Sequence, residues 1–421
     1  MKFLTWLLVP IFPLFGMFIG IWLMPEWKPR WEVHFPGDIA VNGLGFVDDG
    51  KTLLLIETKV ELPRRLISNN AFGLIGLKAE TGEQLFRTPL SEELLKGEGV
   101  HRNHANLTSD GQGILFNHRV SVDPPEDTYD EIVVYQWKTQ QIIKRYRSVY
   151  SNGVPNEPML RGSTLAAMGS AQDSHNLILW NGVDDKPANL PFPNDTYDFG
   201  LSNDGVMIHV CSAYTTSPFQ LTLVDAKKQK VMQAIEGHFR EVRWAADNLS
   251  FLAIEYDPKQ KVHFARRYQL IDQQYEADPA SKVVIAHTDN ISRNKPYLTM
   301  TTYTQVDPWR TKVSSWLGDH LKFIVDRIWP EGQIVQLLDE KTGRPLHRLV
   351  FPKEVRGSTL VHSSGQSVAM CGTRTVSLWD FHSASRWYPI YGLLVGLVIG
   401  ALLAWKLLRR SPRASKVPAT A

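Results

Sequence analysis

Cysteine is nearly absent: Cys211 and Cys371 are the only 2 in 421 residues, so no disulfide framework can carry the fold. Each sits in its own apolar, strand-like run, which reads as a buried free thiol, with a single bridge between them as the alternative. An excess of one charge is missing too. The formal net charge is +3, and with Lys2 and the five basic residues of the C-terminal tail set aside, 40 basic residues face 43 acidic ones. Such a body does not fit a nucleic-acid binder. There is no G-x-S-x-G, phosphate loop, H-E-x-x-H or calcium loop, so neither a cofactor nor a metal is expected. Outside two apolar runs, no stretch carries the period of a long helix.

Those two runs stand at the ends. Phe3 to Met24 is 22 residues without a charge, and Tyr388 to Trp405 is another 18; a membrane-crossing helix needs roughly 20. A cleaved signal peptide is the competing reading of the first run, but its apolar stretch is long and no small-x-small site follows. The expectation is a transmembrane helix over 3–24, a second over 388–408 and a basic tail over 409–421. Lys406, Arg409, Arg410, Arg413 and Lys416 place that tail in the cytoplasm by the positive-inside rule. The reading is therefore a two-pass protein of a cell membrane, in contact with the lipid bilayer, with both termini cytoplasmic and the intervening domain extracytoplasmic.

The middle of the chain repeats itself. Seven alternating or apolar strands close on a similar pair of residues: Leu77-Lys78, Trp137-Lys138, Trp180-Asn181, Val224-Asp225, Ile271-Asp272, Leu338-Asp339 and Trp379-Asp380. The successive spacings are 60, 43, 44, 47, 67 and 41 residues. The short ones match the period of a four-stranded propeller blade, and the long ones imply insertions. A polar turn and another strand follow most endings, as in "AETGEQLFRTP" and "EKTGRPLHRLVF". Asp-Gly-like turns precede several, as in "NLTSDGQGILF" and "GLSNDGVMIHV".

On "SLWDF" with the preceding "SSGQSVAM", and on "EGHFREVRWAADN" around Gly237-His238, the chain resembles the WD-repeat family of β-propellers over roughly residues 31 to 386. The expected fold is all-β: a seven-bladed β-propeller over 30–386, flanked by the two membrane helices. The seventh repeat offers only three strands, "STLVHS", "SVAMC" and "TVSLWDF". The short strand "RWEVHF", within 30–36, is the expected fourth. It would close the ring and remove an open sheet edge. The resemblance implies the same closure.

That closure brings the two apolar runs side by side. Gly392, Gly396 and Gly400 on one run and Gly16 and Gly20 on the other are spaced for close helix packing, within the chain or, as the alternative, in a homodimer. The long insertions belong to the opposite face of the disc, where binding usually resides. Candidate partner-binding residues there are Arg64, Arg65, His101, His104, Trp309 and Arg310. The leading functional expectation is a non-enzymatic module binding a protein or envelope component through that face. A propeller hydrolase or related enzyme with a site in the central channel is the alternative.

Overall fold

Four consecutive residues show how this sequence makes its fold. Leu53, Leu54, Leu55 and Ile56 lie in the strand Thr52–Glu61 and are all fully buried. A strand turns successive side chains to opposite faces. Leu53 and Leu55 accordingly join one apolar cluster, with Ala369 and Leu378, while Leu54 and Ile56 join another, with Phe116 and Tyr135. A sheet covered on both faces gains from an unbroken apolar run, each such side chain contributing roughly 2 kcal/mol by leaving water. The outer strands alternate instead: in Gln84–Pro89 half-buried and exposed residues take turns.

In the computed structural model the described residues are 11–17, 19–20, 28–61, 66–95, 100–101, 105–120, 129–147, 156–171, 174–180, 187–192, 196–212, 219–245, 247–285, 290–292, 298–302, 334–339, 342, 344–351, 357–381 and 388–409. Antiparallel sheets of four strands recur along the chain. Blade 1 lies within 39–89, blade 2 within 106–147, blade 3 within 156–192 and blade 4 within 196–236. Blade 5 lies within 239–285, blade 6 within 290–350, and blade 7 within 358–380 together with Trp31–His34. Blades 1 and 2 share one sheet because Val100–His101 bridges them, pairing with Asn70 and Ala71 on one side and His118 on the other. In blade 5 the third strand, Val262–Ile271, pairs along its far half with Gln274–Ala277 and along its near half with Val283–Ile285.

Among the described residues seven apolar clusters lie between the blades and run round the ring. Leu115 and Val134 meet Leu165 and Trp180 between blades 2 and 3. Leu177 and Leu179 meet Phe199 and Val210 between blades 3 and 4. Leu221 and Leu223 meet Phe251 and Tyr268, then Ile254 and Ala265 meet Leu338, then Val335 and Leu337 meet Val368 and Trp379. The cluster of Leu53 and Leu55 with Ala369 and Leu378 joins blade 7 to blade 1, and so returns to the start. Trp31–His34 supplies the outer strand of blade 7, with Trp31 opposite Leu378 and His34 opposite Thr375. Arg30 extends this pairing through its backbone N–H to the Leu378 carbonyl and an ion pair with Asp380. Both cysteines are buried and free.

Two expectations fail. Among the described residues no helix is long and apolar enough to cross a membrane, so the flanking transmembrane helices and the two-pass placement in a cell membrane, with an extracytoplasmic disc, are not supported. In the first run residues 11–17 and 19–20 are described, and they are helical; the rest of the expected span lies outside the described residues. In the helix Tyr388–Arg409 the uninterrupted apolar stretch runs from Ile390 to Trp405 between Pro389 and Lys406, about 24 Å against the roughly 30 Å of a hydrocarbon core. The polar stretch 57–71 reads from sequence as one of the long insertions. Most of it continues the blade: strands Thr52–Glu61 and Leu66–Lys78 pair as far out as Glu61 opposite Leu66.

Candidate functional site: the loop face and its buried charges

Strand direction divides the disc into two faces. Turns from first to second and from third to fourth strands leave one face, the turn face. Connections from second to third strands, and links between blades, leave the other, the loop face. Short segments such as 48–51, 162–163 and 226–229 make the turns. The strand ends that flank 121–128, 213–219 and 303–333, and those that flank 90–105 and 286–289, lie at the loop face.

Beneath that face lie ionisable side chains that break the apolar runs. Glu57 follows "LLLI" in blade 1 and is buried; Arg87, two strands away, reaches its Oε1 at 2.8 Å. Hydrogen bonding to Glu57 holds the Arg87 guanidinium above its ordinary range. In blade 2 the buried His118 Nδ1 stands 2.9 Å from Oε1 of the equally buried Glu131. Arg145 pairs with the same carboxylate and reaches Glu93 of the link at 2.5 Å. In blade 5 the Tyr268 hydroxyl donates to Glu255 Oε1 at 2.9 Å, and Arg266 stands 3.6 Å from Oε2. Burial raises the Glu255 carboxyl above the usual carboxylate range, against the pull of these partners.

The seam of blades 4 and 5 carries the densest group. A bulge between Thr196 and Asp198, and another between Phe239 and Glu241, re-aim two buried carboxylates on first strands. The Trp244 indole N–H donates to His209 Nδ1 at 3.0 Å, across the seam. Nδ1 is thus an acceptor, which puts the imidazole hydrogen on Nε2, 3.8 Å from Asp198 Oδ2. Burial, with the Arg243 charge nearby, drives the His209 pKa down to about 3. The ring is therefore neutral at ordinary pH, and its basic nitrogen is occupied. Burial and the Glu241 charge push the Cys211 thiol well up, so it is inert rather than nucleophilic. Among the described residues no group of three or more His, Cys, Asp or Glu side chains is placed to hold a metal ion.

Of the candidates read from sequence, Arg64, Arg65, His104, Trp309 and Arg310 lie outside the described residues. His101 lies in the bridging strand Val100–His101, opposite Asn70. The glycines are in contact: a Cβ added at Gly16 would collide with the Gly392 carbonyl, and one at Gly392 would lie 3.1 Å from the Gly20 Cα. Gly400 lies in the same helix as Gly392 and is buried. The charged groups of blades 1, 2, 4 and 5 were missed from sequence. Their signal was present: Glu57 after "LLLI", Glu131 before "IVVY" and His209 inside "MIHVC" each interrupt an apolar strand.

No family model matches the chain, and no curated protein matches it. Solved structures do. The β-propeller domain of Myceliophteria thermophila Cps50 (Swd1) aligns over 85% of this chain and 100% of its own, with 12% identity and a TM-score of 0.51. An oligogalacturonate lyase in complex with manganese aligns over 86% and 100%, with 10% identity and a TM-score of 0.54. The oligogalacturonate lyase of Vibrio parahaemolyticus aligns over 84% and 94%, with 11% identity and a TM-score of 0.55. At such identities the likeness is one of fold, and the fold is a β-propeller.

Proposed function

We propose that the chain is a non-enzymatic β-propeller module that binds a protein partner through the connections of its loop face. One observation carries this reading: at four sites beneath that face, among the described residues, the buried ionisable groups are already engaged. Glu57 is paired by Arg87, Glu131 by His118 and Arg145, and Glu255 by Tyr268 and Arg266, while Trp244 takes the basic nitrogen of His209. A general acid or base needs a proton site free to face substrate. These groups instead stiffen a platform, and the segments above it, 303–333 the longest, vary in length from blade to blade.

The test replaces 303–333 by a short Gly-Ser turn and compares the proteins retained from an extract of the source cell by the intact and shortened chains. Specific partners retained by the intact chain should be lost from the shortened one at an unchanged unfolding midpoint. Retention of the same partners by both would refute the assignment.

A propeller enzyme with a site in the central channel is the second reading. It is favoured by the two lyases of the same fold, one of them complexed with manganese. A metal held by the folded state raises its stability as the metal is added. The first reading predicts no change in unfolding midpoint with manganese; a saturable rise would favour the second.

A further inference from the structure

The two chain ends meet twice. Close to the disc, Trp31–His34 pairs with Thr375–Asp380 over four residues, and the strand is short and alternately half-buried and exposed. Further out, the helical residues 11–17 and 19–20 touch the helix Tyr388–Arg409 through glycine backbone. A Cβ at Gly16 would collide with the Gly392 carbonyl and lie 3.0 Å from the Gly396 Cα. One at Gly396 would collide with the Phe12 carbonyl and lie 2.9 Å from the Pro13 Cα. Residues 12 and 13 thus face 396 while residues 16 and 20 face 392, so the two segments run antiparallel, with Gly20 and the start of the second helix nearest the disc.

We propose that this glycine-faced helix pair is a clasp on the ring closure, holding the chain ends so that the closing strand stays paired. Gly20 stands ten residues before Arg30, and Tyr388 eight after Asp380. A contact so close along the chain raises the effective concentration of one strand at the edge of the other. The closing strand needs this more than the outer strands of blades 1, 2 and 4, because no turn joins it to its neighbour. Blade 4 illustrates the difference: Lys230–Glu236 is tied to Gln220–Asp225 by residues 226–229, whereas the partners Arg30 and Asp380 are 350 residues apart. The coupling is reciprocal, so loosening the strand must also loosen the helices.

Hydrogen exchange on the full chain tests the clasp. Gly392→Leu and Gly16→Leu each force the helices apart, and Val395→Ala, at an exposed position of the same helix, is the control. In both glycine variants the amides of 31–34 should exchange about tenfold faster or more, with those of 207–212 in blade 4 unchanged. The control should leave both sets alone. If Leu perturbs blade 4 as well, Gly392→Ala is read by the same criterion, since its Cβ already meets the Gly16 carbonyl. In the reverse direction, Asp380→Ala should speed exchange at the helix amides of 392–400. Unchanged exchange at 31–34 in the glycine variants, or at 392–400 on loosening the strand, would overturn the proposal.

Discussion

The two faces of the disc are held in different ways. On the turn face, bonds cross from blade to blade. The Trp31 indole N–H donates to the Ala79 carbonyl at 2.9 Å, and its ring lies against the turn at Gly82, where φ is +74° and an added Cβ would be 2.7 Å from the indole. Lys138 of blade 2 reaches Asp48 of blade 1 at 2.6 Å. Asn203 of blade 4 bonds across the seam to blade 5: its backbone N–H donates to Asn248 Oδ1 and its side chain to the Ala245 carbonyl, at 2.8 and 2.9 Å. Gln233 and the Tyr275 backbone exchange two bonds across the same seam. Beneath the loop face, the ion pairs Glu57–Arg87, His118–Glu131 and Arg266–Glu255 each stay within one blade. Bonds between blades occur on that side too, from the Val41 N–H to the Thr373 carbonyl at 2.8 Å and from Trp244 to His209, but these buried ion pairs add stiffness within single blades.

The largest expected effect lies at the closure. Trp31→Ala removes a cross-blade bond and a half-buried indole, and should cost about 3 kcal/mol in denaturant unfolding. A loss below about 1 kcal/mol would show that blades 7 and 1 do not depend on the turn face. Glu131→Ala leaves His118 buried beside Arg145 without their carboxylate, while Arg145, a third exposed, can turn to Glu93 or water. The expected cost is about 2 kcal/mol, with the damage confined to blade 2 when read by hydrogen exchange.

The pH dependence sharpens the account at the seam of blades 4 and 5. His209 is neutral in the folded chain down to about pH 3, whereas the unfolded chain takes up its proton below the ordinary histidine value of 6.5. Over that window the unfolded state binds more protons, so stability falls as pH drops, by about 2 kcal/mol at pH 5 from this group. Glu255 works in the opposite sense, since a raised carboxyl gains stability on protonation. The variant His209→Gln should flatten the decline between pH 7 and 5, and an unchanged decline would assign it elsewhere.

The smallest effects separate three tryptophans. Trp137 donates to the Gly111 carbonyl at 3.0 Å and Trp379 to Ser377 Oγ at 2.8 Å, but the buried Trp180 N–H has no partner among the described residues. In blade 2 the partner carbonyl belongs to the Asp-Gly turn; blade 3 has only residues 162–163 between its first two strands. Trp137→Phe should lose about 1 kcal/mol, whereas Trp180→Phe should be neutral or stabilising.

Much of the architecture was legible in the sequence because it rests on local repetition. All seven quoted endings lie at or next to the ends of third strands, and "RWEVHF" had no partner nearer than "TVSLWDF". What escaped depends on contacts that periodicity does not encode. "ETKVELPRRLISNNA" reads as a polar loop, yet Val60 pairs with Ile67 in an outward extension of blade 1. Hydropathy alone also overran at the ends, where the apolar runs suggested membrane spans that the described helices do not support. The buried carboxylates were visible as interruptions, but their Arg, His and Tyr partners come from other strands and emerge only with the register.

The most direct test of the central claim is the unfolding free energy of the full chain with 303–333 replaced by a short Gly-Ser turn. If the seams hold the ring, the value should stay within about 1 kcal/mol of the intact chain, since loop length costs little. A loss of several kcal/mol would contradict the account and place the stability of the ring in the loop face.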